Sequence, residues 1–204
     1  EQLREGWFGK NNAMREGVAA ARGEWLCFGD ADCRQRSRRT LSTAVRYALA
    51  EGIDFLSLLP ELEMNSLWER IIQPVCSAVM ILWFQPDKVN DPGSDDAYAN
   101  GAFMLMKRSC YEAIGGHEAV RTAVNEDMLM ARLAKRKGQR LFVIHNDGLY
   151  SVRMYTTFRQ IWRGWSRIFY GCFGSFRRLR VTAGVLAVMN VFPYGSLLLA
   201  VLVM

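Results

Sequence analysis

Apolar and polar positions along the chain alternate between two rhythms, short apolar runs and longer stretches with helical spacing. Ala13 to Arg22 has helical spacing, with Asn11 or Asn12 placed to cap it and Gly23 to supply a left-handed exit. Glu24 to Gly29 reads as a short buried strand ending at Asp30-Ala31-Asp32. A helix is expected from Ser37 to Ala50, stopped by Gly52, and an apolar strand from Ile53 to Leu59, stopped by Pro60. Leu67 to Phe84 is strongly apolar around Pro74. Its uninterrupted part, Pro74 to Phe84, is too short to span a bilayer and suits a core helix or one at a membrane interface. After a polar loop from Gln85 to Tyr98, strands are expected at Ala102–Met106, Leu141–Ile144 and Leu149–Val152. Helices are expected from Tyr111 to Gly116 and from Glu126 to Lys137, the latter capped by Asn125 and ended by Gly138. Strand and helix alternating at this spacing predict an α/β layered fold with a mainly parallel sheet.

The last third changes character. Phe158, Trp162, Trp165, Phe169, Phe173 and Phe176 recur at steps of three or four, with Arg159, Arg163 and Arg167 on a neighbouring face. A basic, aromatic amphipathic helix of this type lies in a headgroup plane, and an aromatic core stripe is the alternative. Val181 to Met204 carries no charge. As a helix it would be long enough to cross a hydrocarbon core of about 30 Å. Residues 153–180 are thus expected to be interfacial and 181–204 transmembrane, behind an α/β domain at 1–152. The arginines on the N-terminal side of the span predict that this domain is cytoplasmic, on a membrane such as the bacterial inner membrane.

Composition refines this picture in three places. The 204 residues carry a net charge of +6, concentrated in Arg34, Arg36, Arg38 and Arg39 and in the acid-free run from Ser151 to Arg180. That surface suits anionic headgroups or a diphosphate. Zinc spacing, an RNA-recognition motif and a basic tail are all absent, so nucleic acid is not an expected partner. The five cysteines are scattered with no CxxC, pointing to a reducing compartment. A start at Glu1 and an end inside an apolar run give the expectation of a fragment of a longer protein.

Four groups of residues could carry chemistry. Asp30 and Asp32 follow a strand, at the sheet edge where open α/β folds bind ligands, and could offer oxygens to a hard divalent cation; a solvated turn is the alternative. Glu126-Asp127 opens a helix, so Asp127 could be an ionised general base or simply a helix-start acid. In the run Gln160-Ile161-Trp162-Arg163-Gly164-Trp165, Arg163 could pair with a diphosphate and an indole could stack on an acceptor, or the run could face lipid. Lys10 could place a cation near the same diphosphate. His117 and His145 are unassigned, with His145 at a strand end.

The order of these pieces resembles glycosyltransferase family 2, in its processive and lipid-directed members, the group that includes cellulose synthases and ceramide glucosyltransferases. Gly9-Lys10-Asn11-Asn12-Ala13, Ala21 to Leu26, Asp30-Ala31-Asp32, Asn100 to Met104, Glu126-Asp127 and Gln160 to Trp165 follow one another as in that family. The resemblance implies a partial GT-A, Rossmann-like nucleotide-diphospho-sugar transferase fold and an inverting single displacement with Mg2+ or Mn2+. It implies Asp127 as the catalytic base and Asp32 with Asp30 as metal ligands. Lys10, Asp30, Gln160 and Arg163 would bind the donor diphosphate, and Gly101, Glu126 and Trp165 the acceptor. Two departures stand out. Gly164 separates Arg163 from Trp165, where the family has the tryptophan directly after the arginine, and the family's first strand with its uracil-binding aspartate would precede Glu1. The implied partners are a nucleotide sugar, first of all a UDP-sugar, and a membrane lipid acceptor, as in bacterial ceramide-like, hopanoid and carotenoid glycosylation. A processive polysaccharide synthase and an inactive membrane-anchored scaffold are the competing readings.

Overall fold

The computed structural model describes residues 3–173, 175–177, 179–188 and 195. They form two compact units, Glu1–Ile161 and Trp162–Met204. The first unit runs α1 (Gly9–Ala20), β1 (Trp25–Gly29), β2 (Cys33–Gln35), α2 (Thr40–Ala50), β3 (Phe55–Leu59), β4 (Glu61–Leu62), α3 (Leu67–Trp83) and α4 (Pro86–Asn90). It continues with β5 (Phe103–Lys107), α5 (Arg108–Ala113), a 3-10 turn (Gly116–Val120), α6 (Glu126–Arg136), β6 (Leu141–His145) and β7 (Tyr150–Val152). Helix α7 (Phe158–Phe173) begins in this unit and continues into the second.

The main sheet has the order β1-β5-β3-β6, and a smaller one the order β2-β7-β4. A mainly parallel sheet was the expectation, and the pairings correct it: β1/β5 and β5/β3 are antiparallel, and only β3/β6 is parallel. The reason is one reversed strand. β1, β3 and β6 point the same way, and β5 is inserted between β1 and β3 in the opposite sense. The inversion has a consequence for chemistry. Gly29, the last residue of β1, pairs with Phe103, the first of β5. The segments carrying Asp30 and Gly101 therefore meet at one edge, beyond the carboxyl ends of β1, β3 and β6.

Burial follows the periodicity. β3 and β5 are covered on both faces, and Phe55, Leu56, Met104, Leu105 and Met106 are all fully buried. Each such side chain contributes roughly 2 kcal/mol of transfer free energy. One core cluster joins β1, β5 and β6 to α5 and α6, and a second joins β3, β5 and β7 to α2. β6 is the sheet's outer strand, and Asn90 treats it as a partner strand would: its side chain donates to Val143 O at 2.9 Å and accepts from Val143 N at 2.7 Å. That contact satisfies an edge otherwise open to pairing.

Helix boundaries supply two further corrections. α1 starts at Gly9 after Phe8, so Asn11 and Asn12 lie buried inside the helix rather than at its cap. Asn11 donates instead to the carbonyls of Val120, Arg121 and Ala123, tying α1 to the end of the 3-10 turn. Gly23 lacks a left-handed backbone, because α1 leaves through an extended Ala21. α3 runs unbroken through Pro74 for 17 residues. The expected glycine exits at Gly52 and Gly138 have positive φ, and the helix expected over Tyr111–Gly116 lies earlier, at Arg108–Ala113, followed by positive-φ Gly115 and Gly116.

In α7 the buried positions are Ile161, Gly164, Trp165, Cys172 and Phe173. The aromatic stripe straddles the edge of that face, so Trp162 is 66% exposed while Trp165 is 7% exposed. Within the second unit, Trp165, Phe169 and Phe173 form a ladder with ring centroids 5.4 and 5.6 Å apart. Of the expected transmembrane span, residues 189–194 and 196–204 lie outside the described residues, as does Arg178 of the arginine run. Among the described residues no helix is long and apolar enough to cross a membrane.

Candidate active site

Three chain segments converge at the sheet edge. The loop before β5 is held by Ser57, the polar residue within the apolar run of β3. Its hydroxyl accepts from Asn100 N at 2.8 Å and lies 3.3 Å from both the Asn100 and Phe103 carbonyls. Asn100 Oδ1 also accepts from Ala102 N at 3.0 Å. So braced, the loop presents Gly101 N–H, which donates to Asp127 Oδ2 at 2.8 Å. The other oxygen of Asp127 accepts from Met128 N at 2.7 Å. Asp127 sits in the first turn of α6 with both carboxylate oxygens fixed by main-chain amides.

Lys10 supplies the charge at the centre. Its Nζ lies 2.7 Å from Asp30 Oδ1 and 2.7 Å from Glu126 Oε1. Burial works against the ammonium, but Glu126 and Asp30 outweigh it and hold its pKa above the ordinary range. Glu126 is 2% exposed and lies beneath Lys10. Gly101 leaves room for this cluster. A Cβ there would come 3.1 Å from Asp127 Oδ2 and 3.2 Å from Lys10 Nζ.

Electrostatics separate the carboxylates. Burial, then the charge of Glu126, pushes Asp127 up to about 6, against the pull of the Met128 and Gly101 amides and of Lys10. A carboxyl poised near 6 is ionised at neutral pH yet basic enough to accept a proton in a transition state. Asp32 is also raised, by burial and by Asp30 two residues away. A divalent cation would relieve that repulsion. The pair offers the hard oxygens that Mg2+ or Mn2+ prefers, leaving further positions for water and diphosphate oxygens. Among the described residues no group of three or more His, Cys, Asp or Glu side chains could hold a metal.

The expected site residues divide into two sets. Lys10, Asp30, Gly101, Glu126 and Asp127 are brought into contact, with Asp32 beside them. Gln160, Arg163 and Trp165 lie on α7. The Gln160 side-chain oxygen accepts from Thr156 N, Thr156 Oγ1 and Thr157 N, so it closes the start of that helix. Arg163 is exposed one turn on, and Trp165 is buried.

Two contributors escape a reading from sequence. Ser57 leaves only the faint signal of one hydroxyl in an apolar strand. His117 is fully buried, with Nδ1 3.0 Å from Tyr111 Oη, and burial followed by the charge of Lys10 pushes it down to about 4. That neutral imidazole meets Phe28 edge-on, with ring centroids 5.1 Å apart. His145 ends β6 and is exposed.

A family model for glycosyl transferase family group 2 matches residues 92–204, more than half of the chain. The chain belongs to glycosyl transferase family group 2. No curated protein matches the sequence. Among solved structures, a mannosyltransferase from Pyrobaculum calidifontis, in complex with GDP-mannose and Mn2+, superposes with a TM-score of 0.53 at 21% identity. That match covers 81% of this chain and 41% of the other. A mannosyl-3-phosphoglycerate synthase from Rubrobacter xylanophilus has a TM-score of 0.44 at 14% identity, covering 86% and 52%. A glucosyl-3-phosphoglycerate synthase from Mycobacterium tuberculosis, with Mn2+, UDP-glucose and glycerol 3-phosphate, has a TM-score of 0.46 at 14% identity, covering 84% and 57%. The chain spans about half the length of these proteins. The family match and the mannosyltransferase superposition agree on an α/β mixed-sheet fold of the GT-A glycosyltransferase kind.

Proposed function

We propose that this family group 2 domain is the catalytic part of an inverting glycosyltransferase that moves a hexose from a nucleotide sugar to a hydroxyl of a membrane lipid, on the cytoplasmic face. The observation that carries the reading is Asp127, held at both oxygens by main-chain amides and raised to about 6, next to a cation and a DxD pair.

In the reaction, the acceptor oxygen forms a bond to the anomeric carbon while the bond from that carbon to the diphosphate oxygen breaks. Asp127 takes the hydroxyl proton, and the electron pair leaves on the nucleoside diphosphate. One displacement of this kind inverts the anomeric centre. Asp30 and Asp32 would hold Mg2+ or Mn2+, which supplies Lewis-acid neutralisation of the departing diphosphate. Lys10 keeps a second positive charge beside Asp30, and the Gly101 amide keeps Asp127 oriented. Gln160 and Arg163, one turn apart on α7, are assigned to the diphosphate, and Glu126 to holding Lys10 in place. The lipid half of the reading is supported by the run of Arg159, Arg163 and Arg167 along α7 and by the uncharged sequence after Arg180.

The protein in membranes should release nucleoside diphosphate from one member of a panel of UDP- and GDP-sugars, dependent on Mn2+ or Mg2+ and stimulated by lipid extract. No release from any donor by folded protein would favour the scaffold reading, and long polymeric product would favour a polysaccharide synthase.

A further inference from the structure

The first half of helix α3 is inverted. Glu69 and Gln73 on its inward side are fully buried, and Val79 and Met80 are buried further on, while Leu67, Trp68, Ile71, Val75, Ile81 and Leu82 are 46–67% exposed. A surface helix of a protein in water has the reverse arrangement. Its rotation is fixed from within. Ser66 and Glu69 form a reciprocal capping box, and Arg153 Nε reaches Glu69 Oε1 at 3.1 Å. Turning the apolar side inward would take the buried Glu69 carboxylate away from Arg153, so the exposed side is the one the fold presents. An exposed apolar strip of this length marks an interaction surface.

Charge identifies the partner. From Met64 to Pro86 the only acid is Glu69, which is buried, whereas Arg70 is exposed beside the strip. Trp68 meets Phe158 with ring centroids 5.0 Å apart, which joins the start of α7 and its exposed Arg159 to the same patch. A second copy of the chain would bring its own Arg70 and Arg159 against these in a two-fold interface, with no exposed acid on the strip to pair them. A bilayer containing anionic lipid satisfies both halves: acyl chains for the leucines and isoleucines, headgroups for the arginines and the indole edge.

We infer that the outward side of α3, rimmed by Arg70 and Arg159, docks on an anionic membrane surface. Its geometry stands independently, and its purpose, presenting a lipid acceptor to Asp127, rests on the function proposed above.

The test is hydrogen exchange of residues 67–83 in the whole protein, with vesicles of phosphatidylcholine alone and with phosphatidylcholine containing phosphatidylglycerol. Slower exchange on the anionic vesicles is expected. Ile71→Glu, Val75→Glu and Leu82→Glu together should lower the vesicle-bound fraction and the lipid-acceptor rate by at least about tenfold. Metal-dependent nucleoside diphosphate release without lipid should stay at the wild-type rate. Unchanged exchange on both vesicles would overturn the inference. So would protection that rises with protein concentration without lipid, the mark of a second copy. Exchange in the wild-type protein decides the matter even if the triple variant folds poorly. Absence of donor turnover in a protein whose α3 is protected by vesicles would contradict the proposed function and leave the docking intact.

Discussion

Helices α3 and α6 both open with an acid in the first turn, and the structure turns the two acids to opposite ends. In α3, Glu69 closes a capping box and meets Arg153, and that hydrogen bond holds its carboxyl at about 2. In α6, no guanidinium among the described residues pairs with Asp127. Burial and a neighbouring carboxylate push it to about 6. The helix dipole is common to both and so decides neither. What separates them is the second partner: a saturated charge is structural, and a carboxylate hydrogen-bonded by neutral amides keeps its proton affinity against the weaker pull of Lys10.

Four substitutions sharpen that contrast. Asp127→Asn should lower sugar transfer by about 10²–10⁴-fold while leaving donor binding and fold intact, as read by product formation and by donor titration. Lys10→Met should lower turnover by roughly a hundredfold and weaken donor binding. It should also lower stability by about 2 kcal/mol, because Glu126 is left buried without its cation. Since Lys10 pulls Asp127 downward, the acid limb of any residual pH profile should move above 6.

Glu69→Gln should leave turnover alone and cost roughly 2 kcal/mol in urea unfolding at pH 7. The folded pKa of Glu69 lies below its ordinary 4.5, so its contribution is complete above about 4.5 and disappears as pH falls through about 2. The gap between variant and wild type should close over that window. The smallest effect is expected from Gly101→Ala. Its Cβ displaces the ends of two side chains by a few tenths of an ångström, lowering turnover by about tenfold with little change in melting temperature.

Much of the site can be read from the sequence because its members stand at element ends. Asp30 follows an apolar run, Asp127 starts a periodic one, and Gly101 precedes another. Strand direction cannot be read that way. β5 is as apolar as any parallel core strand, and only its pairing with β1 and β3 shows that it runs backwards. The grip of Lys10 on Glu126 is equally hidden, since it joins residues 116 positions apart in the sequence through the tertiary fold. Asn11 and Asn12 mislead for a physical reason. The helix has already begun at Gly9, so the Asn11 side chain meets no free helix N–H to accept from, and its amide donates to the Val120, Arg121 and Ala123 carbonyls instead. Gln160 shows the converse, where a residue matched to a ligand role by its motif also supplies the oxygen that starts its own helix.

The central claim is that Asp127 is the base that takes the acceptor proton. The most direct test is the rate of nucleoside diphosphate release under saturating donor and acceptor, from pH 4.5 to 8.5, in wild type and Asp127→Asn. The wild-type rate should rise through an apparent pKa near 6 to a plateau, because the carboxylate must be ionised to accept the proton. The variant should be at least about a hundredfold slower and flat across that limb. A variant that keeps wild-type turnover, or one that keeps the same limb near 6, would contradict the assignment.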